Sequence, residues 1–125
     1  MTRVLFADDC NLSRTLAQLG LRRGGLDVLL ARDGEEALVL AADHDVRVAI
    51  VKLDLPVRTG LEVTRELVAR GVRVILTGRA LGEATRRDCL AAGASAVLEL
   101  PMSPEAMLAA VLGSGGIERT SRRAG

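Results

Sequence analysis

Four polar side chains close apolar runs in this chain. Asp8 and Asp9 follow Arg3-Val4-Leu5-Phe6-Ala7, Lys52 follows the run from Val46 to Val51, and Thr77 ends Val72 to Thr77. Two adjacent carboxylates repel each other, so they favour a divalent cation or an ammonium between them, while a hydroxyl can hydrogen-bond an anion. An amine becomes a Schiff-base nucleophile only when its pKa is depressed, and a neighbouring acid pair opposes that by favouring the charged form. Lys52 is the only lysine in a chain that otherwise carries its fixed positive charge on arginine. A salt bridge from Lys52 to Asp9, Asp8 or both is the expected state. Asp54 reads as a loop residue, and His44, the only histidine, as a solvated turn residue.

The elements that must position these groups alternate. Arg3 to Ala7 is a first strand, and the helix after Asp8-Asp9 is expected to be capped by Asn11 or Ser13. Leu12, Leu16, Leu19 and Leu21 recur at helical spacing as its apolar side, and Arg22-Arg23-Gly24-Gly25 closes it. Leu26 to Ala31 is a second strand. Asp33 with Glu36 three residues on resembles a capping box and opens a helix to about Asp43. The third strand runs from Val46 to Val51, and Thr59 caps a helix from Gly60 to Ala69. A fourth strand spans Val72 to Thr77, a helix Gly82 to Ala92, and a fifth strand Ala96 to Leu100. Ser103-Pro104 is a strong helix start, with a hydroxyl cap and proline at the first helical position, and that helix ends at Gly113. Five strands alternating with five helices specify an α/β fold, a single doubly wound five-stranded parallel sheet with right-handed crossovers. With strand order 2-1-3-4-5, the carboxyl ends of the first and third strands are neighbours, which brings the acid pair next to Lys52 with Thr77 on its other side.

Composition limits the function classes. A chain of 125 residues with 49% hydrophobic residues suits one domain with a sizeable core. Phe6 is its only aromatic residue and the net charge is +1, so neither base stacking nor a global field points to nucleic acid. No apolar run approaches the ~18–20 residues of a membrane span. Cys10 and Cys89 fall in no metal-like spacing and read as reduced thiols of a cytoplasmic protein. Residues 1–112 form the folded domain, and residues 113–125 read as a flexible basic tail or linker.

The runs Val4-Leu5-Phe6-Ala7-Asp8-Asp9, Asp54-Leu55-Pro56-Val57-Arg58-Thr59-Gly60-Leu61-Glu62-Val63, Ile75-Leu76-Thr77, Ala91-Ala92-Gly93-Ala94 and Leu98-Glu99-Leu100-Pro101-Met102-Ser103-Pro104-Glu105 carry a resemblance. In this order, across about residues 1–112, they resemble the receiver domain of bacterial response regulators, a flavodoxin-like fold. In that family the phosphoacceptor aspartate stands four residues before the proline of the third loop, which is Lys52 here. The resemblance matches the magnesium-holding acid pair to Asp8 and Asp9 and the switch hydroxyl to Thr77. It matches the phosphate-pairing lysine to Leu100 and the aromatic switch to Val97, and it implies a cis Leu100–Pro101 bond.

The resemblance therefore implies an atypical receiver of the two-component, phosphorelay type. Such a domain is not phosphorylated at the usual site, and Asp8 and Asp9 are vestigial magnesium ligands with weakened affinity. A lysine ammonium with pKa about 10.4 is a poor nucleophile at neutral pH. The expected function is not enzymatic but contact with a protein partner or output domain, or dimerisation through the face of the fourth helix, fifth strand and fifth helix. Arg79, Arg87, Val97, Glu99 and Met102 are the interface candidates, and no direct nucleic-acid or membrane binding is expected. The alternative is a binding module for a small anion or metabolite in a cleft of Asp8, Asp9, Lys52 and Thr77.

Overall fold

A computed structural model describes residues 2–113. The chain alternates as β1 (Arg3–Ala7), α1 (Asn11–Arg23), β2 (Asp27–Ala31), α2 (Gly34–Asp43), β3 (Val48–Lys52), α3 (Gly60–Ala69), β4 (Arg73–Gly78), α4 (Glu83–Ala91), β5 (Ala96–Glu99) and α5 (Pro104–Gly113). The five strands form one parallel sheet in the order β2-β1-β3-β4-β5. The expected basic tail beyond Gly113 lies outside the described residues.

The period-two alternation of each strand divides the core between two faces. Leu5 and Ala7 of β1, Ala49 and Val51 of β3, and Val74 and Leu76 of β4 pack on one side. There they meet Leu38 of α2, Val63 and Leu67 of α3, and Cys89 of α4. Val4, Phe6, Val48, Ile50 and Ile75 face the other way, onto Ala17 and Leu21 of α1 and Met107 and Val111 of α5. Strands buried on both faces must be apolar almost throughout, which is why β1, β3 and β4 read as unbroken runs.

The helix starts follow from local chemistry. Asp33 accepts from the Glu36 N–H at 2.8 Å, but the Glu36 carboxylate bonds the Arg32 N–H at 2.6 Å rather than that of Asp33. At α3 the box is complete: Thr59 caps the Glu62 N–H and the Glu62 carboxylate returns to the Thr59 N–H. Ser103 caps the Ala106 N–H of α5 at 3.1 Å. The expected cap of α1 is corrected, because Cys10 occupies the N-cap position and no side chain caps the turn. Asn11 is inside the helix, where its side chain bonds Arg14.

The apolar side of α1 is also corrected. Arg14, Ala17 and Leu21 face the sheet, whereas Leu12, Leu16 and Leu19 are 66%, 44% and 53% exposed. Spacings of four then three residues and of three then four both fit a helical stripe, so periodicity gave two candidate faces and the richer in leucine was the wrong one. The tight approach of α1 to the sheet and to α5 favours the face with the small side chain of Ala17. Smaller differences concern strand ends: β2 begins at Asp27, β3 at Val48 and β4 at Arg73, and β5 stops at Glu99.

Candidate functional site

The carboxyl ends of β1, β3 and β4 meet at one edge of the sheet. Ala7 is paired with Val51, and Lys52 with Thr77. Lys52 is the last residue of β3, on the face shared by Ile50, and its side chain is 21% exposed. The Lys52 ammonium donates to Asp9 Oδ1 at 2.9 Å and lies 3.8 Å from Asp8 Oδ1. The second distance is an electrostatic contact, too long for a hydrogen bond.

The two carboxylates differ in surroundings. Asp8 has a side chain only 3% exposed, and its Oδ1 accepts the Cys10 N–H at 2.9 Å, a local two-residue turn that fixes its rotamer. Its carbonyl accepts from the buried Arg14 guanidinium at 2.7 Å. Asp9 has a side chain 43% exposed and meets Lys52 at the mouth of the cleft. The hydrogen bond from Lys52 holds the Asp9 carboxyl below its ordinary range, and in return Asp9 holds the ammonium above its own, with Asp8 adding to the effect. A raised lysine pKa is opposite to what a Schiff-base amine needs.

Thr77 is buried at the end of β4, and its carbonyl accepts the Leu53 N–H at 2.7 Å, which locks the start of the β3–α3 loop to β4. Gly60 closes that loop from above. A Cβ there would stand 2.4 Å from the Lys52 carbonyl oxygen and 2.6 Å from Leu53 Cα, so only glycine lets α3 begin this close to the Lys52 backbone. Leu100 follows β5, its N–H donates to the Gly78 carbonyl, and the Leu100–Pro101 bond is cis. An isobutyl group there offers nothing to an anion. The cavity beside Lys52 has a volume of about 230 Å³ and is lined by Lys52, Leu53, Asp54, Gly78 and Arg79, not by the acid pair or Thr77.

The cleft does not fit a magnesium ion. Magnesium requires near-octahedral oxygen coordination, and here two carboxylates face an ammonium that already donates to one of them. Among the described residues no group of three or more acidic, histidine or cysteine side chains is placed to hold a metal.

At the α4–β5 edge the contact belongs to Arg86, which was not among the interface candidates, and not to its neighbour Arg87. Arg86 donates to the Val97 carbonyl at 3.2 Å and pairs with Glu99 at 3.6 Å. Arg79, Arg87 and Glu99 are exposed, while Val97 and Met102 are half-buried. Two further arginines were missed. Arg14 reads as an ordinary helix cation, yet its spacing of three and seven residues from Ala17 and Leu21 puts it on the buried face. Arg58 gathers Glu35, Glu62 and Glu66 around the loop that precedes α3.

A family model described as the response regulator receiver domain matches residues 4–112. Among curated proteins, the chain is 35% identical over 107 residues to the sensory/regulatory protein RpfC of Xanthomonas campestris, covering 80% of this chain and 15% of that protein. It is 33% identical over 114 residues to the transcriptional regulatory protein AruR of Pseudomonas aeruginosa, covering 85% of this chain and 46% of that one. The chain thus spans less than half the length of either relative. Among solved structures, the chemotaxis response regulator CheY4 of Vibrio cholerae superposes with a TM-score of 0.85 at 26% identity, covering 91% of this chain and 98% of that one.

Proposed function

The chain belongs to the response regulator receiver domain family, and from that membership we propose that it is a two-component signalling module in which a fixed ion pair has replaced phosphate acceptance. The observation that carries this reading is the 2.9 Å hydrogen bond from Lys52 to Asp9 at the carboxyl end of β3. In the family that end carries the acceptor aspartate. An acceptor carboxylate attacks phosphorus and forms an acyl phosphate, whereas a protonated ammonium has no lone pair to offer. The same ammonium supplies the positive charge that the acid pair would otherwise draw from a metal ion, so magnesium affinity is low.

Three other positions support the reading. Thr77 retains the hydroxyl, but its register partner on β3 is Lys52 instead of an acceptor. Leu100 cannot pair with phosphoryl oxygens. Val97 has neither the size nor the ring of an aromatic switch, and the Arg86 bonds to Val97 and Glu99 tie α4 to β5 in one arrangement. The module then works by contact, with the α4–β5–α5 surface serving a protein partner or an output domain. Contact with nucleic acid or membrane plays no part, and no described helix is long and apolar enough to cross a membrane.

Incubation with acetyl phosphate and magnesium, followed by intact mass, tests the reading. An unchanged mass is expected; a phosphoryl adduct mapped to Asp8, Asp9 or Asp54 would overturn it.

A further inference from the structure

Two opposite charges without partners border one cavity at the carboxyl ends of β3 and β4. The cavity, about 230 Å³ in volume, is lined by Lys52, Leu53 and Asp54 on the β3 side and by Gly78 and Arg79 on the β4 side. The Lys52 ammonium is already balanced by Asp9 and Asp8. The Arg79 guanidinium and the Asp54 carboxylate are both exposed. Neither has an ion pair or a hydrogen bond among the described residues, and they do not pair with each other across the space they share.

The backbone holds this space open. The Leu53 N–H donates to the Thr77 carbonyl and the Leu100 N–H to the Gly78 carbonyl, each at 2.7 Å, so both walls are anchored to the sheet. A Cβ at Gly78 would lie 2.8 Å from Leu81 Cδ2 and 3.6 Å from Leu53 Cβ, so any side chain at position 78 would enter the gap between these leucines. Ala80, next to Arg79, has φ +49°, a left-handed conformation that few non-glycine residues adopt and that strained ligand clamps use. In open α/β sheets ligands bind outside the carboxyl ends of the strands, which is where this cavity stands.

The charges select the ligand. An anion alone would satisfy Arg79 but meet the Asp54 carboxylate. A cation alone would satisfy Asp54 but face Arg79 and Lys52. A molecule that carries both charges a few bonds apart satisfies each of them: its carboxylate accepts the planar guanidinium fork, and its ammonium donates to Asp54. The volume of about 230 Å³ is below the ~300–1,000 Å³ of pockets for drug-sized ligands, so the molecule is small. Leu53 offers an apolar wall to a short side chain.

We propose that this cavity binds a free α-amino acid with a short side chain, held by Arg79 at its carboxylate and by Asp54 at its ammonium. The ligand ties the β3–α3 loop to the β4–α4 loop. This goes beyond the receiver reading, on which it gives a module without phosphate an input of another kind. Arg79 then serves the ligand and not the α4–β5–α5 partner surface.

Titration of the chain with L-alanine, followed by amide nitrogen–proton correlation spectra without phosphodonor or metal, tests the proposal. L-alanine is expected to move the signals of Lys52, Leu53, Asp54, Gly78 and Arg79 saturably, with half-saturation at about 1 mM or below. Propionate and ethylammonium each keep one of its two charges and are expected to bind at least about tenfold more weakly. Arg79→Gln and Asp54→Asn, both at exposed positions, should keep the spectrum of the folded chain and weaken L-alanine binding by about tenfold or more. Absent or scattered shifts with L-alanine, propionate binding as tightly as L-alanine (an adventitious anion only), or a response unchanged in either variant would each overturn it. The acetyl phosphate test reads a covalent adduct and this titration a reversible shift, so the two readings fail separately.

Discussion

Lys52 and Asp9 are joined across the β1–β3 seam by a 2.9 Å hydrogen bond, although 43 residues separate them in the chain. Each shifts the other toward its charged form, Asp9 below its ordinary value of 3.8 and Lys52 above 10.5, in both cases chiefly through this bond.

A pH window follows from the two directions. The Asp9 pKa is lower in the folded chain, so its contribution is full above about pH 4 and is lost as pH falls through the folded value. The Lys52 pKa is higher in the folded chain, so its contribution is full below about pH 10 and is lost as pH rises through the folded value. Because Asp9 is nearly half exposed, the pair contributes only about 0–1 kcal/mol. Urea denaturation of the wild type and Asp9→Asn, followed by circular dichroism because the chain lacks Trp and Tyr, should show a difference that shrinks from neutral pH into strong acid. A difference constant across that range would show that the pair carries no pH-dependent stability.

Lys52→Asp should turn the cleft toward metal. The substitution removes the competing ammonium and adds a third carboxylate beside Asp8 and Asp9, so magnesium affinity by titration calorimetry should rise by about tenfold or more. Equal heats from wild type and variant would show that Lys52 does not control cation binding.

Gly60→Ala should damage the junction between β3 and α3. The added Cβ meets the Lys52 carbonyl and the Leu53 backbone, neither of which can rotate away, and overpacking of this kind costs about 1–3 kcal/mol. Chemical denaturation reads the loss directly; a variant as stable as the wild type would mean that the loop re-forms without strain.

Arg86→Ala and Arg87→Ala separate a clamp from a solvated neighbour. Arg86 holds a β5 carbonyl and Glu99, so its loss should cost about 1 kcal/mol and speed amide exchange along β5. Arg87→Ala should stay within about 0.5 kcal/mol. Equal effects from the two would remove the clamp from the α4–β5 description.

Much of this protein is written locally. Unbroken apolar runs fix β1, β3 and β4 because strands buried on both faces tolerate little else. Thr59 with Glu62, Asp33 and Ser103-Pro104 fix three helix starts, because a cap is satisfied within four residues of chain. Alternation of strand and helix specifies a parallel sheet with right-handed crossovers, and the resemblance to receivers supplies the order 2-1-3-4-5. The end-of-strand position of Asp8, Asp9, Lys52 and Thr77 was legible for the same reason.

Choices between equivalent local solutions were left to the tertiary structure. Leu12, Leu16 and Leu19 satisfy helical periodicity as well as Arg14, Ala17 and Leu21 do, and only the approach of α1 to the sheet and to α5 selects the smaller, partly charged face. Arg86 and Arg87 are adjacent and chemically identical, so their roles differ only through the angle at which α4 meets β5. That Lys52 reaches Asp9 in hydrogen-bond contact and Asp8 only at 3.8 Å depends on the Cys10 N–H turning Asp8 toward its own backbone. The sequence by itself determined the parallel sheet and the groups at its strand ends, and its likeness to receivers supplied the strand order. The tertiary structure alone decided which of those groups touch and which leucines were left facing water, because both depend on packing between segments far apart in the chain.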